Sequence, residues 1–82
     1  MKRVVYTRAA ARALRRHRNM ALRIMSKVED YAANPAAFTN VVTEMAGQDY
    51  MRLRIGDFHV LFQETSTEII VLDLGPRGGI YG

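Results

Sequence analysis

Apolar residues recur along the chain with two different periods, and the change of period divides it. Residues 2–6 carry the β-branched pair Val4-Val5 ahead of Tyr6 and predict a short strand. Thr7 then stands where a helix N-cap would, its hydroxyl able to accept from an orphan N–H of the turn that follows. Residues 8–17 are rich in Ala, Leu and Arg, all good helix formers. Asn19 is placed to cap a second helix, in which Ala21, Ile24, Met25, Val28, Tyr31 and Ala32 follow the i, i+3, i+4, i+7 spacing of one buried stripe. Asn34-Pro35 ends it, because proline disfavours helical backbone in the residue before it. So short a connection makes the two helices fold back or bend sharply into one layer.

Residues 35–49 have no clear period; residues 41–45 allow a short strand, and Gly47-Gln48-Asp49 a turn. From Tyr50 the period is two. Met51, Leu53 and Ile55 alternate with Arg52 and Arg54, and Phe58, Val60 and Phe62 alternate with His59, Leu61 and Gln63. Between them Gly56-Asp57 has glycine first, as a type II′ hairpin turn prefers. That turn sets Ile55 opposite Phe58, Leu53 opposite Val60, Met51 opposite Phe62 and Arg54 opposite His59. One face is then wholly apolar, and the other carries Arg52, Arg54 and His59. A slip of one residue would bury the arginines, so the register is strongly specified. A three-residue loop, Thr65-Ser66-Thr67, would lead into a third strand over residues 68–74. It would set Phe62 opposite Ile70, Val60 opposite Leu72 and Phe58 opposite Leu74, with Asp73 beside His59.

Composition adds bounds. Eighty-two residues, 49% hydrophobic and 24% charged, predict one ordered domain over residues 1–82. No apolar run approaches the ~20 residues of a membrane span, and the opening residues do not build a signal peptide. With no cysteine there is neither a disulfide framework nor a thiolate metal site, which fits a reducing cytoplasm. The net charge of +4 hides a division: residues 1–27 hold nine basic residues and no acid, residues 28–82 three basic and eight acidic. The basic part suits a polyanion, either nucleic acid or an acidic protein, and equally a solvated surface.

The chemistry-bearing residues are late in the chain. Arg77 follows Gly75-Pro76 and falls at the Arg52, Arg54 and His59 end of the sheet if the strands are antiparallel. Tyr81, past Gly78-Gly79, is close enough in sequence to fold back on the same patch. Like charges on neighbouring strands repel, so the cluster gains most from an anion. The inventory suits phosphodiester cleavage without a metal. Guanidinium groups bind phosphate bidentately and neutralise charge developing at phosphorus. Imidazole moves protons near neutrality, and a tyrosine ring can stack on a base. On RNA the 2′-hydroxyl is itself the nucleophile. Two histidines, His17 and His59, far apart and with no close acidic pair, make no metal-ligand set, and no Ser or Cys triad or cofactor motif is present. The same pattern admits plainer readings: arginines balanced by Glu64, Asp57 or Glu68, His59 salt-bridged to Asp73, and Tyr81 as packing. His17, Tyr6, Tyr31 and Tyr50 read as structural.

The run Tyr50-Met51-Arg52-Leu53-Arg54-Ile55-Gly56-Asp57-Phe58-His59-Val60-Leu61-Phe62 resembles the central hairpin of the RelE/ParE toxin superfamily. Its usual form is basic, apolar, basic, then Val/Ile-Gly-Asp-Tyr-Arg and an apolar strand. The tail Val71-Leu72-Asp73-Leu74-Gly75-Pro76-Arg77-Gly78-Gly79-Ile80-Tyr81 resembles the closing Gly-x-Arg…Val/Ile-Tyr motif, and the Met45-Ala46-Gly47 step and the strand-helix-helix start agree in order. The resemblance implies an α+β fold, with an N-terminal strand and a helical hairpin packed on a four-stranded, mainly antiparallel sheet. It implies a type II toxin that, as in the RelE branch, cuts messenger RNA in the ribosomal A site through a cyclic phosphate, without metal or cofactor. By position the family's basic strand residues fall on Arg52 and Arg54, its hairpin arginine on His59, its late arginine on Arg77 and its terminal tyrosine on Tyr81. Retention of the last two favours this branch over ParE-like gyrase poisons; a catalytically weak homologue acting in an antitoxin–DNA complex is a third alternative.

The implied partners are an acidic antitoxin over the arginine face, the ribosome and its messenger, and DNA only through the antitoxin complex; no membrane is implied. Three departures stand out. Histidine at 59 replaces a permanent charge by a titratable one. Arginine at 52 and 54 makes a poor general base, since guanidinium keeps its proton. Gly78-Gly79 replaces charged residues before Tyr81. The roles expected are therefore phosphate binding by Arg52, Arg54 and Arg77, proton transfer by His59, and orientation by Tyr81. Arg8, Arg12, Arg15 and Arg16, crowded on one helix, repel each other and would be relieved by ribosomal RNA.

Overall fold

The computed structural model describes residues 1–78; the expected place of Tyr81 falls on residues outside that range. In chain order the elements are β1 (Arg3–Tyr6), α1 (Arg8–Arg16), α2 (Arg18–Ala33), a 3-10 turn (Pro35–Phe38), β2 (Val42–Glu44), β3 (Met51–Ile55), β4 (Phe58–Glu64) and β5 (Glu68–Pro76). The fold is α+β, as expected, but the sheet has five strands in the order β1-β5-β4-β3-β2. The count rises from four because β1 and the three-residue β2 both join the sheet, one at each edge. β1 runs parallel to β5 and the other pairs are antiparallel.

Thr7 makes the first turn of the chain. Its Oγ1 accepts from Ala10 N at 3.1 Å, the expected cap, and donates to Leu72 O at 2.7 Å. Its own amide donates to Val71 O at 3.0 Å. One residue thus ends β1, starts α1 and ties both to β5. α1 buries only Ala10 and Ala13, small enough for close approach to the sheet. The break between helices falls at His17, not Asn19, which lies inside the first turn of α2. The His17 ring is held there by an edge contact with Phe58, centroids 5.0 Å apart, a tertiary contact that local capping preference does not reveal. α2 buries Ile24, Val28, Tyr31 and Ala32, while Met25 is left 38% exposed beside the stripe.

These side chains pack on the apolar face of the β3–β4 hairpin, where Leu53, Ile55, Val60 and Phe62 are buried. The hairpin register is the expected one at all four positions. The β4–β5 register is not. Thr65 N donates to Glu68 O at 2.9 Å, closing the loop on two residues rather than three, while Thr65 Oγ1 accepts from the amides of Thr67 and Glu68. A bulge at Leu61/Phe62 then adds one more step, so Phe62 faces Val71, Val60 faces Leu74, Phe58 faces Pro76 and His59 faces Gly75. The extra residue, Leu72, lets both Val71 and Leu74 enter the core, which strict alternation forbids. Lys2 and Tyr31 close the far end on Glu64, at 2.7 and 2.6 Å. Burial pushes the Glu64 carboxyl up, but those two hydrogen bonds and the Lys2 charge outweigh it and hold its pKa below the usual carboxylate value.

Candidate active site

The open face of the hairpin carries the site. Period-two alternation, fixed by the Gly56-Asp57 turn, puts Arg52 and Arg54 of β3 and His59 of β4 on the side away from the helices. Gly56 has φ +58°, a backbone conformation that glycine alone adopts without strain. Pairing with β2 sets Thr43 opposite Arg52, and Arg54 N donates to Val41 O at 2.9 Å. Together Asn40, Val41, Thr43, Arg52, Arg54 and His59 line a cavity of about 110 Å³. On the other side of His59 stands Gly75, which has no side chain to fill the space. Arg77 arrives from β5, its amide donating to Asp57 O at 2.7 Å, so the end of β5 is pinned to the β3–β4 turn.

His59 is 7% exposed, as buried as the core although it lies on the opposite face. Its pKa is held below the usual 6.5, first by burial and then by the positive charges of Arg52, Arg77 and Arg54. Three guanidinium groups, two from β3 and one from the segment after β5, therefore act on one imidazole. Near neutral pH that imidazole is uncharged and keeps a nitrogen lone pair for accepting a proton. Two of the carboxylates that could have balanced the arginines are engaged elsewhere: Glu64 by Lys2 and Tyr31, Glu68 by Arg3. Among the described residues Arg54 and Arg77 form no ion pair. A larger cavity of about 600 Å³ lies at the other end of the sheet, but Glu44, Asp49 and Glu64 line it. Those carboxylates repel a phosphate, and the small cationic recess is the better anion site.

The sequence matches, over residues 4–81, the family model of the ParE toxin of type II toxin-antitoxin system, parDE. The chain belongs to this family. Solved structures agree on the fold. A chain of the toxin-antitoxin complex RelBE2 from Mycobacterium tuberculosis superposes with a TM-score of 0.73 at 20% identity, over 93% of this chain and 98% of that one. A chain of the archaeal RelE-RelB complex from Pyrococcus horikoshii OT3 gives 0.71 at 25% identity, over 95% and 97%. YafQ from E. coli strain BL21(DE3) gives 0.69 at 11% identity over 100% of both. No curated protein matches the sequence significantly. The chain is thus a type II toxin of the RelE/ParE superfamily.

Of the residues singled out in this toxin, Arg52, Arg54, His59 and Arg77 come together, and Tyr81 lies outside the described residues. Asp73 does not face His59: it sits opposite Leu61, and with Arg12 and Arg16 it lines a cavity of about 140 Å³ between α1 and β5. Arg8, Arg12, Arg15 and Arg16 all lie on α1, a different element from the recess. Sequence reasoning missed Asn40, Val41 and Thr43, which wall the recess, because their segment has no hydrophobic period. It also missed Gly75, whose pairing with His59 depends on the bulge.

Proposed function

We propose that this toxin cuts messenger RNA on the ribosome, with the Arg52–Arg54–His59 recess holding the scissile phosphate and Arg77 adding its charge beside it. The observation that carries the reading is the convergence of three guanidinium charges on one buried, neutral imidazole beside a cavity of phosphate scale. In the step, the 2′-oxygen of the RNA bonds to the adjacent phosphorus and the bond from phosphorus to the 5′-oxygen breaks. The 2′-hydroxyl proton goes to the uncharged nitrogen of His59, and the leaving 5′-oxygen takes a proton from solvent. A 2′,3′-cyclic phosphate and a 5′-hydroxyl result. Arg52, Arg54 and Arg77 neutralise the charge that grows on the phosphoryl oxygens and keep their own protons throughout. Tyr81 enters this reading through the sequence resemblance, as the group that orients the base or scissile linkage.

Family membership and complexes such as those of RelB with RelE support an antitoxin as the cognate partner, acidic so as to cover the arginine face, with DNA reached only through that complex. The setting is the cytoplasm, where ribosomes are; among the described residues no helix is long and apolar enough to cross a membrane. The test mixes purified protein with programmed ribosomes and maps the cuts. General-base loss costs about 10²–10⁴-fold in rate, so His59→Ala should fall by that order and Tyr81→Phe should also slow. Wild-type rates in both variants would sink the assignment. A second reading rests on the family model itself, which is that of a ParE toxin: poisoning of DNA gyrase. Expression in cells separates the two, since one leaves cut messenger RNA and the other accumulates DNA breaks.

A further inference from the structure

The β3–β4 turn is met by a cation from the helical layer that the recess does not contain. Arg23 lies on α2 next to the fully buried Ile24, so its backbone is anchored in the core while its side chain is exposed. Its Nη2, Cζ and Nη1 atoms lie 3.4, 3.7 and 3.7 Å from where a Cβ on Gly56 would stand. The guanidinium end of the side chain, not only its stem, therefore lies beside the β3–β4 turn. Glycine at 56 is explained by its positive φ, since a Cβ there would meet the guanidinium only at ordinary van der Waals distance. The adjoining His17–Phe58 edge contact holds the helix junction against the same end of the hairpin.

The two-residue turn therefore has cations around it from three directions. Arg23 lies against Gly56, Arg77 is tied by its amide to Asp57, and Arg54 precedes the turn on β3. Among the described residues none of the three has a carboxylate partner, whereas Lys2 and Arg3 do. Guanidinium groups without a carboxylate partner suit phosphate, which they bind through two parallel N–H donors where lysine offers a point charge. A strand gripped in the recess and passing over the hairpin tip meets Arg23 next.

We propose that Arg23 binds the phosphate of a nucleotide flanking the cleaved linkage, so that the RNA is held at two points across the β3–β4 turn. The inference rests on the nuclease reading above. Arg23 touches substrate away from the reacting atoms, so it governs binding rather than the chemical step.

The test uses purified toxin and programmed ribosomes whose messenger carries a neutral methylphosphonate at one linkage at a time on either side of the cut. Arg23→Met keeps an unbranched side chain at this position and removes the charged group beside Gly56; Arg23→Lys keeps the charge. Arg23→Met should raise KM about tenfold with kcat unchanged, as expected when one charge-assisted hydrogen bond to phosphate is removed. It should lower the slope of log affinity against log salt by about 0.7, the value for one phosphate on a single strand. Arg23→Lys should restore the slope. At one flanking position, methylphosphonate and Arg23→Met should together cost no more than either alone. A residue that only packs on the turn would leave the salt slope where it was. Additive losses at every flanking position, or an unchanged KM, would overturn the inference while wild-type cleavage continued. Failure of the wild type to cut at all would instead overturn the nuclease reading.

Discussion

His59 shows how one residue is shaped by neighbours on several elements. Its face follows from alternation along β4 and its partner Arg54 from the turn, and both are legible in the sequence. Its other neighbour is not, because the shortened loop at Thr65 and the bulge at Leu61/Phe62 each shift the register by one and together replace Asp73 by Gly75. The replacement changes the chemistry: an aspartate beside His59 would raise its pKa, whereas burial and the three arginines lower it. Under the proposed nuclease reading, an imidazole protonated below its folded pKa cannot accept the 2′-hydroxyl proton. Cleavage should therefore rise along an acid limb centred below 6.5 and level off above it. Arg77→Gln removes one of the depressing charges, so its acid limb should move up in pH even as its plateau falls. A pH–rate profile of both proteins decides it, and an unmoved limb would show that His59 is not the titrating group. Stability follows the same sign. As pH falls the unfolded chain takes up the proton first, so the stability present above about 6.5 is lost progressively down to the folded value.

At the scale of elements, the sequence is most readable where local rules and packing agree. The β3–β4 hairpin, the Thr7 cap and the Asn34-Pro35 stop are all read from a few residues. It is least readable where long-range contacts decide. Asn19 satisfies every local rule for a cap, yet His17 takes the break because its ring packs on Phe58. β2 is three residues long and largely exposed, with too few positions to display a period, and it joins the sheet through pairing with β3. The loop before β5 loses a residue because Thr65 Oγ1 satisfies two amides at once. Thr7 tests the balance between local and distant terms. Thr7→Ala removes the cap on Ala10 and the hydroxyl bond to Leu72 O together. A cap alone is worth about 1 kcal/mol and a second hydrogen bond about as much, so the loss should be roughly 2 kcal/mol. Urea unfolding with an unchanged m-value is the measurement. Thr7→Ser, which keeps both bonds, should recover most of it.

Over the whole molecule, charge is divided between two surfaces, one at the recess and one along α1. The recess has its cations converging on His59, while Arg8, Arg12, Arg15 and Arg16 lie along α1, where Arg12 and Arg16 share a cavity with Asp73. The division of the chain into a basic first part and a more acidic remainder is legible from composition alone, but not the gathering of the late arginines at one end of the sheet. That requires the β3–β4 turn, the pinning of Arg77 to Asp57, and β2 as a wall. If the two surfaces do separate jobs, replacing the four α1 arginines by glutamine should weaken binding to ribosomes and leave the cleavage rate of bound complexes intact. Neutralising one phosphate fewer lowers the salt slope by about 0.7 to 0.9, so four fewer would lower it by roughly 3. The proposed nuclease reading of the recess predicts the reverse: Arg52→Gln should slow single-turnover cleavage far more than it weakens binding, because in that reading its charge is used most as negative charge grows at phosphorus. Titrating both variants against programmed ribosomes over a salt series, then measuring single-turnover rates, separates the surfaces. Equal losses in both quantities for both variants would mean that the arginines act as one undivided patch.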